Sequence, residues 1–339
     1  LVTNLGLLGV FKYFNFFSES FATVLQAMGF YPDAVTLNVI LPVGISFYTF
    51  QTLSYTIDVY RGKLKPAEDW IQFFTYVTFF PQLVAGPIER ATNLLPQFSK
   101  LQSFSYDLAA SGMRLMLWGY FKKSVVADHC AKMVNAIFAN HETVSSAALI
   151  MGVIYFAFQI YGDFSGYSDI ARGVSRLFGI ELMVNFKTPY FSRDIAEFWR
   201  RWHISLTTWF RDYVYIPLGG SKHGKRMAVY NTFVVFLLSG LWHGANWTFV
   251  IWGLINALLF IPLLVAGKNR NNLDDVAAGR LVPNVKEFFQ MACTFSLVCF
   301  TWIFFRAENL TQAISYLTSI IQNVNIPIDW EHFDKITLG

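Results

Sequence analysis

Residues 239–266 read SGLWHGANWTFVIWGLINALLFIPLLVA, a histidine between glycines followed by a long apolar run. From Trp247 onward this run carries no charged side chain for about 20 residues, the length that an α-helix needs to cross the hydrocarbon core of a bilayer. A second apolar run, 229–241, precedes His243, so this imidazole lies between two apolar segments. An ionisable group at membrane depth predicts a functional site.

The composition of the whole chain also indicates a membrane protein. Of 339 residues, 54% are hydrophobic and 14% are charged, and the mean hydropathy is +0.40. A soluble globular domain carries roughly a quarter charged residues. The sequence therefore predicts a polytopic, all-α integral membrane protein, and eight segments are predicted to lie in the bilayer: 5–17, 37–57, 70–84, 112–126, 147–161, 229–241, 247–266 and 288–305.

Proline and glycine interrupt several of these segments, as Pro42 and Gly44 do in the second one. Irregular backbone at membrane depth is tolerated only where it is buried in protein or lines a wet cavity. We therefore predict a helical bundle with broken or re-entrant helices around a central funnel or tunnel. The start at Leu1 does not resemble a signal peptide, and we expect one membrane domain over 1–339 that lacks earlier N-terminal membrane helices.

The net charge of +4 is spread between the apolar segments, which argues against nucleic acid as a partner and for the lipid bilayer. The stretch 185–226 is rich in lysine and arginine and is predicted to be cytoplasmic. Within it, Arg200 and Arg201 are candidates for binding an anionic donor.

The polar insertion 267–283 is predicted to be a loop. The three cysteines have no metal-ligand spacing, so no metal site is predicted.

Residues 195–211, IAEFWRRWHISLTTWFR, place aromatic and aliphatic side chains at helical spacing. The segment has too many charges to cross the bilayer and too many tryptophans for water. It is predicted to be one amphipathic helix that lies at the interface or re-enters the membrane. His203 is a candidate functional residue on this helix, with Trp199 and Trp202 shaping a substrate passage.

Residues 161–169, YGDFSGYSD, place carboxylates and hydroxyls directly after an apolar run. Unpartnered polar groups are costly in lipid, so these side chains must face protein or water. Asp163, Ser165 and Tyr167 are candidates for lining a polar tunnel or orienting a substrate. The alternative is that the carboxylates are helix-end groups.

His243 is the first candidate for catalysis, because an imidazole changes charge near neutral pH and suits a general base. Gly240 and Gly244 are predicted to leave room for a ligand to approach the backbone beside it. Trp242 and Asn246 are further candidates for the substrate passage. The other histidines are given no role: His129, His141, His223 and His332.

The two histidine motifs, EFWRRWHISLTTWFRDYVYIPLGG and LSGLWHGANWTFVIWG, resemble the membrane-bound O-acyltransferase family. More narrowly, the chain looks like the bacterial alginate O-acetylation branch of that family. Further blocks carry the resemblance from about residue 41 to residue 317: LPVGISFYTFQTLSYTIDVYRG, FFPQLVAGPIER, YGDFSGYSDIARG, NFKTPYFSRDI and FTWIFFRAENLTQAISYL.

The resemblance implies a helical membrane fold with a tunnel, an invariant histidine at His243 and a partner histidine at His203. It implies transfer of an acetyl group from a cytoplasmic thioester, acetyl-CoA, towards hydroxyls of an extracytoplasmic polysaccharide, which is alginate-like, cellulose or peptidoglycan. No bound cofactor is expected. A partner SGNH-type acetyltransferase and a location in the bacterial inner membrane are also implied.

Two other functions stay open from the sequence. The first is D-alanyl transfer to teichoic acid by a relative that shares the paired histidines. The second is a transporter or channel for an acyl or glycan species, in which His243 gates a proton path. The chain shows no internal repeat, and inverted repeats would favour the transporter.

Overall fold

The computed structural model describes residues 1–327, and His332 lies outside the described residues. Within that range the regular structure is helical throughout. The helices are α1 Val2–Leu8, α2 Phe14–Ala27, α3 Ile45–Tyr60, α4 Trp70–Thr78, α5 Ala91–Phe98, α6 Tyr106–Phe121, α7 Asp128–Ala139, α8 Ser146–Leu177, α9 Ile195–Arg201, α10 Ile204–Phe210, α11 Gly224–His243, α12 Trp247–Val265, α13 Val285–Arg306 and α14 Leu310–Gln322.

Three π-helical turns join or extend these helices: Gly9–Tyr13, Lys122–Ala127 and Arg211–Tyr215. The first links α1 to α2, and the second links α6 to α7. The third continues α10.

Each of the eight predicted membrane segments overlaps a helix, which confirms the all-helical fold class. Three helices, α8, α12 and α13, are long and apolar enough to cross a membrane by length and composition. The helix α14 was not predicted, because its polar start hides an apolar face. That face packs on α8, where the hydroxyl of Tyr316 donates to the carbonyl of Leu149 over 2.8 Å.

The predicted breaks are present. No helix forms between Phe30 and Gly44, and α3 begins only at Ile45. Gly44 has φ of 76°, and a Cβ there would lie 2.5 Å from the carbonyl oxygen of Leu83. Glycine is therefore required where this turn meets the irregular segment that follows α4.

The motif at 161–169 lies inside α8, which continues to Leu177, so the alternative that its carboxylates are helix-end groups was wrong. The helix continues because its polar side chains find partners on the π-helical turn beside it. Lys123 pairs with Asp163 over 2.7 Å, and Lys122 donates to Ser165 over 3.0 Å. Lys122 also pairs with Asp169 over 2.6 Å.

Glycines set the spacing of the two closest helix pairs. α6 and α8 run antiparallel, and a Cβ on Gly166 would lie 2.7 Å from the carbonyl oxygen of Gly119. In α11 and α12, a Cβ on Gly253 would lie 2.4 Å from the carbonyl oxygen of Phe236. Small residues at such contacts let helix backbones approach closely, as membrane helices favour.

We predict that Gly166→Ala lowers the thermal unfolding midpoint of the detergent-solubilised protein, measured by tryptophan fluorescence. The new methyl group has to displace backbone, and overpacking of this kind costs about 1–3 kcal/mol. The matched control is Gly6→Ala in α1, where nothing lies within 4 Å of the added Cβ. An equal midpoint for the two variants would contradict the close α6–α8 contact.

Candidate functional site

A cavity of about 630 Å³ lies between α9, α10, α11 and the loop that follows α12. Both predicted catalytic histidines, His203 and His243, line it. Along α11 the wall runs from Thr232 to His243, which corresponds to about 16 Å at 1.5 Å rise per residue. The cavity is therefore elongated, with His243 at the end of one wall.

His243 is the last residue of α11, at the end of the helix where the chain turns towards α12. Aromatic rings surround it: the centroids of Trp242, Trp252 and Phe305 lie 5.0, 5.2 and 5.1 Å from the imidazole centroid. The side chain is half-buried, and in the described part of the chain no group hydrogen-bonds to its ring nitrogens. The imidazole is thus free to exchange a proton with a molecule in the cavity.

His203 lies at a break in the backbone, and the predicted single helix 195–211 was wrong. α9 ends at Arg201, α10 starts at Ile204, and His203 between them has φ of 44° and ψ of 54°. This left-handed conformation is uncommon for a residue with a side chain and marks a functional or strained position.

The break persists because an extended segment before α9 supplies its hydrogen bonds. The amide of Ile204 donates to the carbonyl of Asn185 over 2.9 Å, and the amide of Lys187 donates to the carbonyl of Arg201 over 3.0 Å. The Asn185 side chain also accepts from the amide of Ser205 over 3.2 Å. Local periodicity missed Asn185, because its partners lie about twenty residues further along the chain.

The two imidazoles face each other without touching. Their ring centroids are 6.5 Å apart, and among the described residues no hydrogen bond joins the two rings. His203 is 2% exposed, and its Nε2 is buried without a hydrogen-bond partner. A buried polar atom that lacks a partner costs free energy, so this nitrogen of a cavity-lining ring is available to hydrogen-bond a group of a ligand.

Trp199 and Trp202 line the cavity as predicted, and both also belong to the aromatic core. The centroids of Trp202 and Trp302 lie 5.1 Å apart, and those of Trp199 and Trp252 lie 5.7 Å apart. Trp252 in turn stacks on Trp302 with an interplanar angle of 11°. This packing gives the cavity a stiff aromatic wall.

Positive charge lines the cavity where it meets the loop 267–283. Arg200, Arg211 and Arg270 are all part of the lining. Arg200 donates to the carbonyls of Asn269 and Asn272 over 2.7 Å each, which are neutral acceptors. Within residues 1–327 no carboxylate forms an ion pair with Arg200 or Arg270, so this rim keeps net positive charge.

Arg201 does not line the cavity, unlike its neighbour. It pairs with Glu197 over 3.0 Å and with Asp275 over 3.2 Å. Its geometry therefore gives it a structural contact with the loop, where a donor-binding role was predicted. The reason is that consecutive residues of α9 point in different directions around the helix.

Arg193 fastens the same loop. Its guanidinium contacts Glu197 over 3.1 Å and Asp274 over 3.0 Å. Hydrogen bonding to Glu197 raises the pKa of Arg193, and hydrogen bonding to Arg193 lowers the pKa of Asp274. The predicted loop 267–283 has no helix, as expected, and arginines on α9 and just before it hold the loop in place through hydrogen bonds and ion pairs.

The remaining predicted tunnel residues lie outside the cavity lining. Asn246 caps α12 by accepting from the amide of Thr248 over 2.9 Å. Trp242 is buried against Phe50 and the ring of His203. Asp163, Ser165 and Tyr167 lie on α8 and are not among the lining residues.

The space beside the two glycines next to His243 is filled by the protein. A Cβ on Gly240 would lie 2.2 Å from the carbonyl oxygen of Phe249, and one on Gly244 would lie 2.2 Å from the Phe249 ring. The prediction that a ligand approaches the backbone there was wrong. These glycines allow α12 to pack against α11.

Sequence reasoning missed Ser239 and Arg270 as cavity residues. Ser239 precedes His243 by four residues, a helical spacing that places both side chains on one face. Arg270 lies in a segment predicted only as a loop, so its place in the lining depends on how the chain folds back. Within the described residues, no group of three or more histidine, cysteine, aspartate or glutamate side chains is arranged to hold a metal ion.

Comparison with known proteins adds a family match. Residues 68–305 match the model of MBOAT, the membrane-bound O-acyltransferase family. The chain is 41% identical over 313 residues to the probable alginate O-acetylase of Pseudomonas aeruginosa, a match that covers 92% of this chain and 58% of the relative. The chain thus spans about three fifths of the length of that relative.

Two further relatives carry different printed activities. The peptidoglycan O-acetyltransferase of Helicobacter pylori is 34% identical over 347 residues, covering 95% of this chain and 63% of the relative. The teichoic acid D-alanyltransferase of Bacillus subtilis is 29% identical over 284 residues, covering 80% of this chain and 70% of the relative.

We predict that a cysteine at Ser239 reacts with a small methanethiosulfonate reagent faster than a cysteine at Ser175, both introduced after Cys130, Cys293 and Cys299 are replaced by serine. Ser239 lines the cavity, whereas Ser175 is 0% exposed within α8. Labelling is measured by mass spectrometry of the intact protein in detergent. Equal rates at the two positions would refute a cavity that small molecules enter.

Proposed function

The chain belongs to the membrane-bound O-acyltransferase family and is a membrane protein, and on that premise we propose that it transfers an acetyl group from a cytoplasmic thioester, acetyl-CoA, towards hydroxyls of an extracytoplasmic polysaccharide. The observation that carries the proposal is one cavity that joins a cationic rim to two facing imidazoles. A carrier thioester has the matching chemistry, because its phosphates are anionic and its acyl end is not.

The donor binds with its phosphates near Arg200 and Arg270 at the loop side of the cavity. Guanidinium groups bind phosphate through paired, charge-assisted hydrogen bonds. The acyl end then extends along α11 towards His243, past the aromatic wall of Trp199 and Trp202. Arg201 contributes to this site through the loop that it fastens.

His243 acts as the general base in the transfer step. Its free ring nitrogen takes the proton of the acceptor hydroxyl while the hydroxyl oxygen bonds to the thioester carbonyl carbon. The carbon–sulfur bond then breaks, and the departing thiolate receives the proton from the imidazolium. The step forms one ester and one thiol and consumes one thioester and one hydroxyl, so it balances without a further reactant.

His203 assists from the ring that lies opposite His243, with 6.5 Å between the two ring centroids. Its unpartnered Nε2 is buried and belongs to a cavity-lining ring. A nitrogen that carries a proton there donates a hydrogen bond to the oxygen that becomes negative in the transition state. Preorganised donors of this kind contribute strongly to catalysis in sites that exclude water.

The proposed polysaccharide acceptor is supported by the activities for which two relatives are named. The relatives in Pseudomonas aeruginosa and Helicobacter pylori are named as O-acetylating proteins for alginate and peptidoglycan. We propose a polysaccharide acceptor for this chain, reached directly or through a partner SGNH-type acetyltransferase. The protein is proposed to cross the bacterial inner membrane several times, with the loop 267–283 on the cytoplasmic side.

Acetyl transfer is favoured over D-alanyl transfer because identity is 41% to the probable alginate O-acetylase and 29% to the D-alanyltransferase. A carrier protein that donates D-alanine would have to bind at the same cationic rim of the cavity. The two chemistries separate in an assay that analyses ester-linked acetate and ester-linked D-alanine in the same surface polymer.

We predict that His243→Ala lowers ester-linked acetate on the surface polysaccharide, and the initial transfer rate, by about 10²- to 10⁴-fold, the usual contribution of a general base. His203→Ala is expected to lower the rate less, because it leaves the base in place. Acetate is measured after alkaline release from cells that express each full-length variant with its neighbouring genes.

His129→Ala is the control, since this ring lies on α7 outside the cavity lining, and its hydrogen-bond partner within residues 1–327 is the carbonyl of Ser124 over 3.3 Å. Protein levels are matched by immunoblot. Wild-type acetylation in the His243→Ala strain would reject the proposed mechanism.

We also predict that Arg270→Gln raises the KM for acetyl-CoA about tenfold with little change in kcat, because one charged contact to the donor is lost. Added salt should raise the wild-type KM more than that of the variant. Arg114→Gln on the exposed face of α6 serves as the charge-matched control. An unchanged KM in Arg270→Gln would place the donor phosphates elsewhere.

A further inference from the structure

The helix that carries His243 ends without enough hydrogen-bond partners of its own. The last four carbonyls of any α-helix have no partner within the helix. In α11 the carbonyl of Gly240 accepts from the amide of Gly244. The carbonyls of Leu241 and Trp242 are satisfied instead by two side chains from the turn between α1 and α2.

These side chains are Lys12 and Tyr13. The hydroxyl of Tyr13 donates to the carbonyl of Leu241 over 2.8 Å, and the ammonium of Lys12 donates to the carbonyl of Trp242. Two residues more than 220 positions away in the chain thus close the end of α11. The peptide bond that follows the Trp242 carbonyl is the one that leads into His243.

The ammonium of Lys12 is held in place on several sides. It donates to the hydroxyl of Ser46 over 2.9 Å and lies 5.7 Å from the centroid of the Trp242 ring. Lys12 and Tyr13 both belong to the π-helical turn Gly9–Tyr13. Single π-helical turns are rare and occur frequently at functional sites.

The ammonium has no carboxylate partner within residues 1–327. The titratable groups near His243 are Lys12, whose ammonium on the π-helical turn Gly9–Tyr13 binds the carbonyl of Trp242, and His203, whose ring centroid lies 6.5 Å from that of His243. The packing from α12 and α13 is uncharged, since it consists of Phe249, Trp252 and Phe305. Among the described residues, Lys12 therefore brings a positive charge to the end of the helix that carries this imidazole.

We propose that Lys12 is a positioning residue for His243: its ammonium anchors the last turn of α11 through the Trp242 carbonyl and so holds a positive charge beside the residue that carries the imidazole. This inference rests on the proposed role of His243 as the base. A like charge nearby opposes protonation, so the resting imidazole stays neutral and able to accept a proton. After the transfer step the same repulsion drives the proton from the imidazolium to the departing thiolate.

The kinetic test compares Lys12→Met, Lys12→Arg and Tyr13→Phe in the full-length protein in membrane vesicles. Lys12→Met keeps the length of the side chain but loses the charge and the hydrogen bonds, and kcat is expected to fall about tenfold. Its acid limb in the pH–rate profile is expected to move to higher pH. Lys12→Arg is expected to restore most of kcat and the wild-type profile.

Tyr13→Phe is the matched control, because it removes a hydrogen bond to the same helix end without changing charge. It is expected to lower kcat modestly and to leave the pH profile in place. If Lys12→Met kept the wild-type kcat and profile, or changed both in the same way as Tyr13→Phe, the proposal would be overturned.

A second measurement does not depend on catalysis. Diethyl pyrocarbonate modifies neutral imidazole, and peptide mapping by mass spectrometry separates His243 from His203. The pH at which His243 becomes half as reactive is expected to rise in Lys12→Met and to stay unchanged in Tyr13→Phe. An unchanged midpoint in Lys12→Met overturns the proposal, whereas a shifted midpoint in a protein that transfers no acetyl group supports it and refutes the proposed function alone.

Discussion

Both histidines of the site lie where a helix stops, and a stopped helix leaves backbone groups that need hydrogen-bond partners inside the protein. Lipid supplies none, so each end must be closed by another part of the chain. Asn185 and Lys187 close the break beside His203, and Lys12 and Tyr13 close the end of α11 at His243. Four residues distant from these ends in the chain thus hold both histidines in the wall of one cavity.

The two walls of the cavity are built in different ways. The His243 wall consists of α11 packed on α12 through glycine contacts and an aromatic core. The opposite wall consists of the short helices α9 and α10, joined at His203 and tied to the loop 267–283 by arginines. Apolar packing surrounds His243, and arginine side chains line the cavity at the loop 267–283.

Much of the architecture follows from patterns that are local in the sequence. Apolar runs located eight helical segments, and proline and glycine located the break before Ile45. The lone ionisable residue between apolar runs led to His243, and the basic, tryptophan-rich segment led to His203, Trp199 and Arg200, all of which line the cavity.

The errors share one physical origin, which is that long-range partners decide local conformation. Helical periodicity continues through Trp202 and His203, but hydrogen bonds to Asn185 and Lys187 hold the chain in a break there. Polar residues of 161–169 remain helical because Lys122 and Lys123 lie beside them. Lys12 was not predicted as a site residue, since no pattern near it in the sequence indicates that it contacts α11.

The difference between the two walls also has a mechanical consequence. Glycine-mediated backbone contact leaves the α11–α12 pair little freedom to slide, so it forms a fixed reference against which His243 keeps its position. Guanidinium–carbonyl contacts at the loop can exchange with water one at a time, so the loop is free to move while the position of His243 stays fixed.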